Sequence, residues 1–132
     1  MNNEQGVSMM KEIEQKLQGK ISRLTNKTFK FDKRIKEGWF SAVYFLKTKK
    51  IVEKKLPDNI VTMQFFQKED AVLCGTDEAI ALLHTFADHP EELEIMSLKD
   101  GDKIKPFETV LTVTGPYQNF GYLEGIIDGI LS

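Results

Sequence analysis

Cysteine occurs once in the chain, at Cys74, so no intramolecular disulfide can form. A secreted domain of this size usually carries several, and a lone thiol fits a reducing cytoplasm. Cys74 lies in the apolar run Ala71 to Cys74, which predicts a buried, inert thiol. No stretch approaches ~18 consecutive apolar residues, so no membrane-spanning helix is encoded. The first residues, MNNEQGVSMMKEIEQ, place acids where a signal peptide needs a basic start and an apolar run. Positive charge is not in excess either: 18 Lys and Arg stand against 20 Asp and Glu, a formal net charge of -2. That balance lacks the basic field that drives nucleic-acid binding. A cytoplasmic domain with neither membrane nor nucleic-acid partners is the expectation.

Catalytic motifs are missing too. There is no GxxxxGK[ST] phosphate loop and no GxGxxG following a strand. The only two histidines, His84 and His89, are five residues apart and fall on different faces of a helix. No acid–histidine spacing supports a metal site. A Ser/His/Asp set could be assembled only by free choice among many residues. The chain is therefore expected to hold no catalytic residue and no metal ligand of its own.

What is present is 132 residues, 41% of them hydrophobic, enough for a single packed core. Met10, Ile13, Leu17, Ile21 and Leu24 make one stripe of an amphipathic helix over residues 7–25. That stripe suits core packing or a partner helix. A polar, lysine-rich connection follows from Asn26 to Gly38. Ser41 is placed to cap a helix running to about Lys55, because Pro57 cannot continue one. Alternation over Trp39 to Leu46 also allows a strand at its start. Lysines 47, 49, 50, 54 and 55 make this the most basic stretch, read as a solvated face or as an attractor of anions.

Ile60 to Phe66 is β-branched and aromatic, and reads as a strand. Ala71 to Cys74 is a candidate for the next. Thr76 can cap a helix whose first turn carries Asp77 and Glu78 at the positive end of the dipole. That helix closes by His89-Pro90. Leu93 to Ser97 and Thr109 to Thr114 are further strands, the last stopped by Gly115-Pro116. The final segment is helical in pattern, with Phe120, Leu123, Ile127 and Ile130 on one side. Gly121, Gly125 and Gly129 predict a bare groove where another backbone comes close. Glu124 and Asp128 beside it are read as a solvated acid pair rather than a Mg²⁺ site. The pattern stops at Ser132 without a capping glycine, which suggests a chain cut from a longer protein.

Three blocks carry a family resemblance. The first is Ala42-Val43-Tyr44-Phe45-Leu46-Lys47-Thr48. The second is Asp100-Gly101-Asp102-Lys103-Ile104 followed by Pro106, Leu111, Val113 and Gly115. The third is Tyr117-x-x-Phe120-Gly121-x-x-Glu124. Together they resemble the amino-terminal part of nicotinate phosphoribosyltransferases, in the type II branch close to quinolinate phosphoribosyltransferase. The resemblance covers residues 31–132 and leaves 1–30 outside, as an amino-terminal helix and linker.

It implies an α+β open-faced sandwich of a few strands with helices, followed in the family by a catalytic barrel that this chain does not contain. It implies an enzyme of NAD biosynthesis that joins nicotinate to phosphoribosyl pyrophosphate, with Mg²⁺ and ATP as cofactors of the full protein. It also implies a homo-oligomer in which this domain covers a neighbour's barrel mouth and helps to form the dimer. Tyr44 would stack on the pyridine ring, and Lys47 and Thr48 would stand near the substrate. Ala42 departs from the acid that many relatives carry there. A quinolinate-type enzyme and a non-catalytic interaction module are the competing readings.

Overall fold

The computed structural model describes residues 23–132. In chain order they form 3-10 turns at Asn26–Thr28 and Lys33–Ile35, then α1 (Val43–Lys55), β1 (Ile60–Phe66) and β2 (Ala71–Val72). Next come α2 (Thr76–Phe86), a 3-10 turn at Pro90–Glu92, β3 (Glu94–Ser97), β4 (Lys103–Ile104) and β5 (Thr109–Pro116). The chain ends in α3 (Tyr117–Phe120), a 3-10 turn at Gly121–Leu123 and α4 (Glu124–Leu131).

Two-residue alternation builds the main sheet. Its strands run antiparallel in the order β1-β5-β3, with β2 and β4 forming a separate short ribbon. Register aligns Met63, Val113 and Ile95 on one face, with Phe65, Leu111 and Ser97 in the next row. This face is buried, and Leu111 and Val113 are fully enclosed. A bulge where Phe66 pairs with Thr109 skips one residue of β5, so Val110 and Leu111 both enter the core. Against this face lie Leu82, Leu83 and Phe86 of α2, then Phe120, Leu123 and Ile127 of the terminal segment. The opposite rows, Thr62-Thr114-Glu94 and Gln64-Thr112-Met96, are polar except for Met96, and Thr62, Gln64, Glu94 and Met96 are exposed. The result is the open-faced α+β sandwich that the resemblance implies.

Several elements differ from expectation. The amino-terminal helix falls largely outside the described residues, and residues 23–25 at its end are not helical. Ser41 does not cap α1. The helix starts two residues later with Ala42 at its N-cap, because the Ser41 hydroxyl donates instead to the Tyr122 carbonyl. Thr76 is likewise not a cap but the first helical residue, and Asp100 caps α2 from a distant turn. Gly115 and Pro116 do not stop β5. They are its last two residues, paired with Val61 and Ile60. A Cβ at Gly115 would stand 2.6 Å from Leu93 Cδ2 and 3.1 Å from the Glu92 carbonyl oxygen, so a side chain there would make Leu93 shift.

The terminal helix is broken rather than continuous, and the expected glycine groove is interrupted at Gly121. The Tyr117 ring fills the space beside Gly121, while a Cβ at Gly125 or Gly129 would meet nothing within 4 Å. Cys74 is exposed rather than buried, one residue beyond the enclosed Leu73.

Candidate functional site

Exposed aromatic side chains gather at the start of α1. Trp39, Phe40, Val43 and Tyr44 are each at least half exposed, Tyr44 at 64%. A ring left in water at the beginning of a helix contributes little to the fold, whose core takes Phe45 from the same turn. Arg34 braces the approach, with its guanidinium 5.6 Å from the Trp39 ring centre and 5.4 Å from that of Phe40. Asp32 orients Arg34 through a forked pair, Nη2 to Oδ2 at 2.6 Å and Nε to Oδ1 at 3.1 Å. Hydrogen bonds from the Arg34 side chain and backbone hold the Asp32 carboxyl down at about 2.

The three predicted site residues share one helix face, since residues three and four apart are neighbours. The Tyr44 ring lies 4.2 Å, centre to centre, from that of Phe45. Lys47 is exposed and makes no ion pair among the described residues. Thr48 is half-buried, and its hydroxyl donates to the Tyr44 carbonyl at 2.7 Å, keeping its lone pairs free to accept. Beside them stands Tyr117. Burial raises its phenol above the ordinary value, with Glu124 and then Tyr44 adding to the shift. Burial followed by the charge of Asp128 raises the Glu124 carboxyl, so this pair is only partly solvated. The patch can stack on a flat ring and attract an anion.

The lysine stretch divides. Lys47, Lys50, Lys54 and Lys55 are exposed as a solvated face predicts. Lys49 is not among them: its Nζ stands 2.6 Å from Asp88 Oδ2 and 4.6 Å from the centre of the Tyr122 ring. Sequence reasoning misses Ser41, Lys49, Asp88 and Tyr122 as a group, because their contacts join residues 39 and 81 positions apart. It also misses His89, Glu91 and Glu92, whose ligand atoms lie within 4.8 Å of one another after Pro90. All three are exposed, and Glu92 already accepts a hydrogen bond from Asn119 Nδ2 at 2.8 Å.

Fold and site together define an open-faced α+β domain that presents aromatic rings on its surface. Residues 42–132 match the family described as quinolinate phosphoribosyl transferase, N-terminal domain, and the chain belongs to that family. The match bears out the coarser part of the resemblance, an amino-terminal domain of the quinolinate phosphoribosyltransferase-like type II branch.

Among solved structures the chain is similar to nicotinate-nucleotide pyrophosphorylase from Pyrococcus furiosus, at 29% identity and a TM-score of 0.66 over 85% of this chain. It is also similar in fold to nicotinate-nucleotide pyrophosphorylase from Francisella tularensis, at 18% identity and a TM-score of 0.52 over 67% of this chain. The chain spans 28% of the first protein and 33% of the second. No curated protein sequence matches it. Among the described residues no helix is long and apolar enough to cross a membrane.

Proposed function

We propose that this chain is the amino-terminal lid domain of a type II phosphoribosyltransferase that transfers the ribosyl group of phosphoribosyl pyrophosphate to a pyridine carboxylate, as a step of NAD biosynthesis. The observation that carries the reading is Tyr44, a ring 64% exposed on the first turn of α1. An offset stack on a flat ring contributes about 0.5–1.5 kcal/mol beyond burial, and a second subunit's barrel mouth would supply the remaining walls. Covering that mouth excludes water from a ribosyl carbon that becomes positive during transfer. Lys47, one helical turn away, attracts the phosphates by charge, and the Thr48 hydroxyl braces the Tyr44 turn. Mg²⁺ accompanies the pyrophosphate in this reading, and ATP hydrolysis accompanies the nicotinate reaction. Neither is assigned to a residue of this chain.

Two pyridines lead to the same nucleotide. Nicotinate gives it directly. Quinolinate carries a second ring carboxylate that leaves as CO2. The family match favours quinolinate, and the Val43-Tyr44-Phe45 block favours nicotinate. The test is the full-length protein supplied with phosphoribosyl pyrophosphate, Mg²⁺ and either pyridine, with and without ATP, following nicotinate mononucleotide and CO2. Turnover of either pyridine supports the reading, and CO2 release identifies quinolinate. Consumption of neither would sink it.

A further inference from the structure

One residue anchors α1 on both sides of Tyr44. Three positions before Tyr44, the Ser41 hydroxyl donates to the Tyr122 carbonyl. Five positions after it, the Lys49 ammonium stands 4.6 Å from the centre of the Tyr122 ring. Tyr122 is 2% exposed, and its hydroxyl donates to the Phe86 carbonyl at the end of α2. Lys36 Nζ donates to that same carbonyl at 3.0 Å and to Asp88 Oδ1 at 2.7 Å, while Lys49 takes Asp88 Oδ2. The loop before α1, α1 itself and the end of α2 therefore meet at one residue of the 3-10 turn after α3: Ser41 at the Tyr122 backbone carbonyl, Lys49 at its ring and Phe86 at its hydroxyl.

This convergence matters because α1 has no side-chain cap: Ala42 sits at its N-cap. An uncapped first turn frays readily, since its N–H groups lack partners. Here the turn that carries Tyr44 is pinned from just outside by Ser41 and from one turn beyond by Lys49. Lys49 differs from its exposed neighbours in having exchanged water for a ring face and a carboxylate, the setting in which a cation–π contact is strongest.

Resting on the reading of Tyr44 as the ring that stacks on the pyridine, we propose that Tyr122, acting through Ser41 and Lys49, is the positioning residue of the lid. It sets the angle at which α1 presents Tyr44 and touches no substrate itself.

The experiment uses the full-length protein and measures KM separately for the pyridine carboxylate and for phosphoribosyl pyrophosphate, along with the thermal midpoint. The variants are Ser41→Ala, Lys49→Met, Lys49→Arg and Tyr44→Ala, with each of the first two also combined with Tyr44→Ala. Ser41→Ala and Lys49→Met should each raise KM for the pyridine about threefold or more and leave that for phosphoribosyl pyrophosphate unchanged. Lys49→Arg should restore it. In the Tyr44→Ala background neither should add anything, because the ring they position is gone.

A fall in thermal midpoint with both KM values unchanged would show a purely structural role and overturn the inference. So would an additive rise in the Tyr44→Ala background. If Tyr44→Ala alone leaves the pyridine KM unchanged, the lid reading falls and this inference with it. If Tyr44→Ala raises KM while Ser41→Ala and Lys49→Met do not, only this inference falls. Ser41→Ala removes a single hydroxyl, which keeps the test open if Lys49→Met fails to fold.

Discussion

Asp100 caps helix α2 through Thr76, a residue 24 positions earlier in the chain. Its Oδ1 accepts from the Thr76 backbone N–H at 2.7 Å and from the Thr76 hydroxyl at 2.8 Å, and its Oδ2 accepts from the Asp77 N–H at 3.2 Å. A carboxylate at this end also meets the positive pole of the helix dipole. Asp100→Ala should therefore cost about 1–2 kcal/mol, while Asp100→Asn keeps an acceptor and should cost less. Urea unfolding checks this, with a lower midpoint and an unchanged slope. An unshifted midpoint would show that α2 stands without the cap.

Glycines in this chain should respond in opposite ways to alanine. Gly75 has φ of 106°, and a Cβ there would come within 2.7 Å of the Ile130 carbonyl oxygen and 2.9 Å of its Cγ2. Left-handed strain and overlap with a backbone atom add, so Gly75→Ala should lose about 2–3 kcal/mol. Gly125 and Gly129 lie within α4 and face open space. There Gly125→Ala or Gly129→Ala should gain about 0.5–1 kcal/mol from helix propensity. Thermal melts of the three variants decide it, and destabilisation at Gly125 would reveal a close approach on that face.

Acid sensitivity should centre on Asp88. Burial pushes its carboxyl up, but hydrogen bonds from Lys36 and Lys49 outweigh that and hold it below its ordinary value. A carboxyl depressed by folding stabilises the protein above its unfolded pKa. That stability is lost as pH falls through the folded value, here below about pH 4. Lys49→Met removes one of the two cations, so its acid-unfolding midpoint should lie at higher pH than that of the parent. Circular dichroism against pH measures the shift. Asp32 gives the contrast: its carboxyl is held lower, at about 2, but it pairs with Arg34 only at the surface. Asp32→Asn should move the midpoint less than Lys49→Met does, because exposed pairs contribute little to stability.

How legible the fold is depends on the range of the interactions. β1 occupies Ile60–Phe66 as β-propensity predicts, and α2 carries the expected apolar face and ends before Pro90. Both follow from periodicity within a few residues. The start of α1 was not legible, because Ser41 finds its acceptor 81 residues away. Nor was the break in the terminal helix: its apolar spacing is helical, yet Tyr117 folds onto Gly121 and the following turn tightens to 3-10 geometry. Of the candidate site, the family block pointed to Tyr44 and Lys47, and the structure exposes both. The ring of contacts behind them lies in tertiary pairing, which local pattern does not encode.

Tyr44 offers the most direct test of the lid, because its ring is largely exposed and, among the described residues, meets the core only through Phe45. At 64% exposure it supports little of the fold, so Tyr44→Ala should shift the thermal midpoint only slightly. If the ring stacks on the pyridine, its face matters and its hydroxyl does not. Tyr44→Phe should then keep kcat/KM for the pyridine near the parent value, and Tyr44→Ala should lower it about three- to tenfold, the range expected for one aromatic stack. Tyr44→Leu should fall between them, since it retains apolar cover without a flat face. Steady-state kinetics of the full-length protein, run beside melts of the same preparations, separate the two effects. Loss of activity in Tyr44→Phe as large as in Tyr44→Ala would instead assign the role to the phenol oxygen and refute stacking.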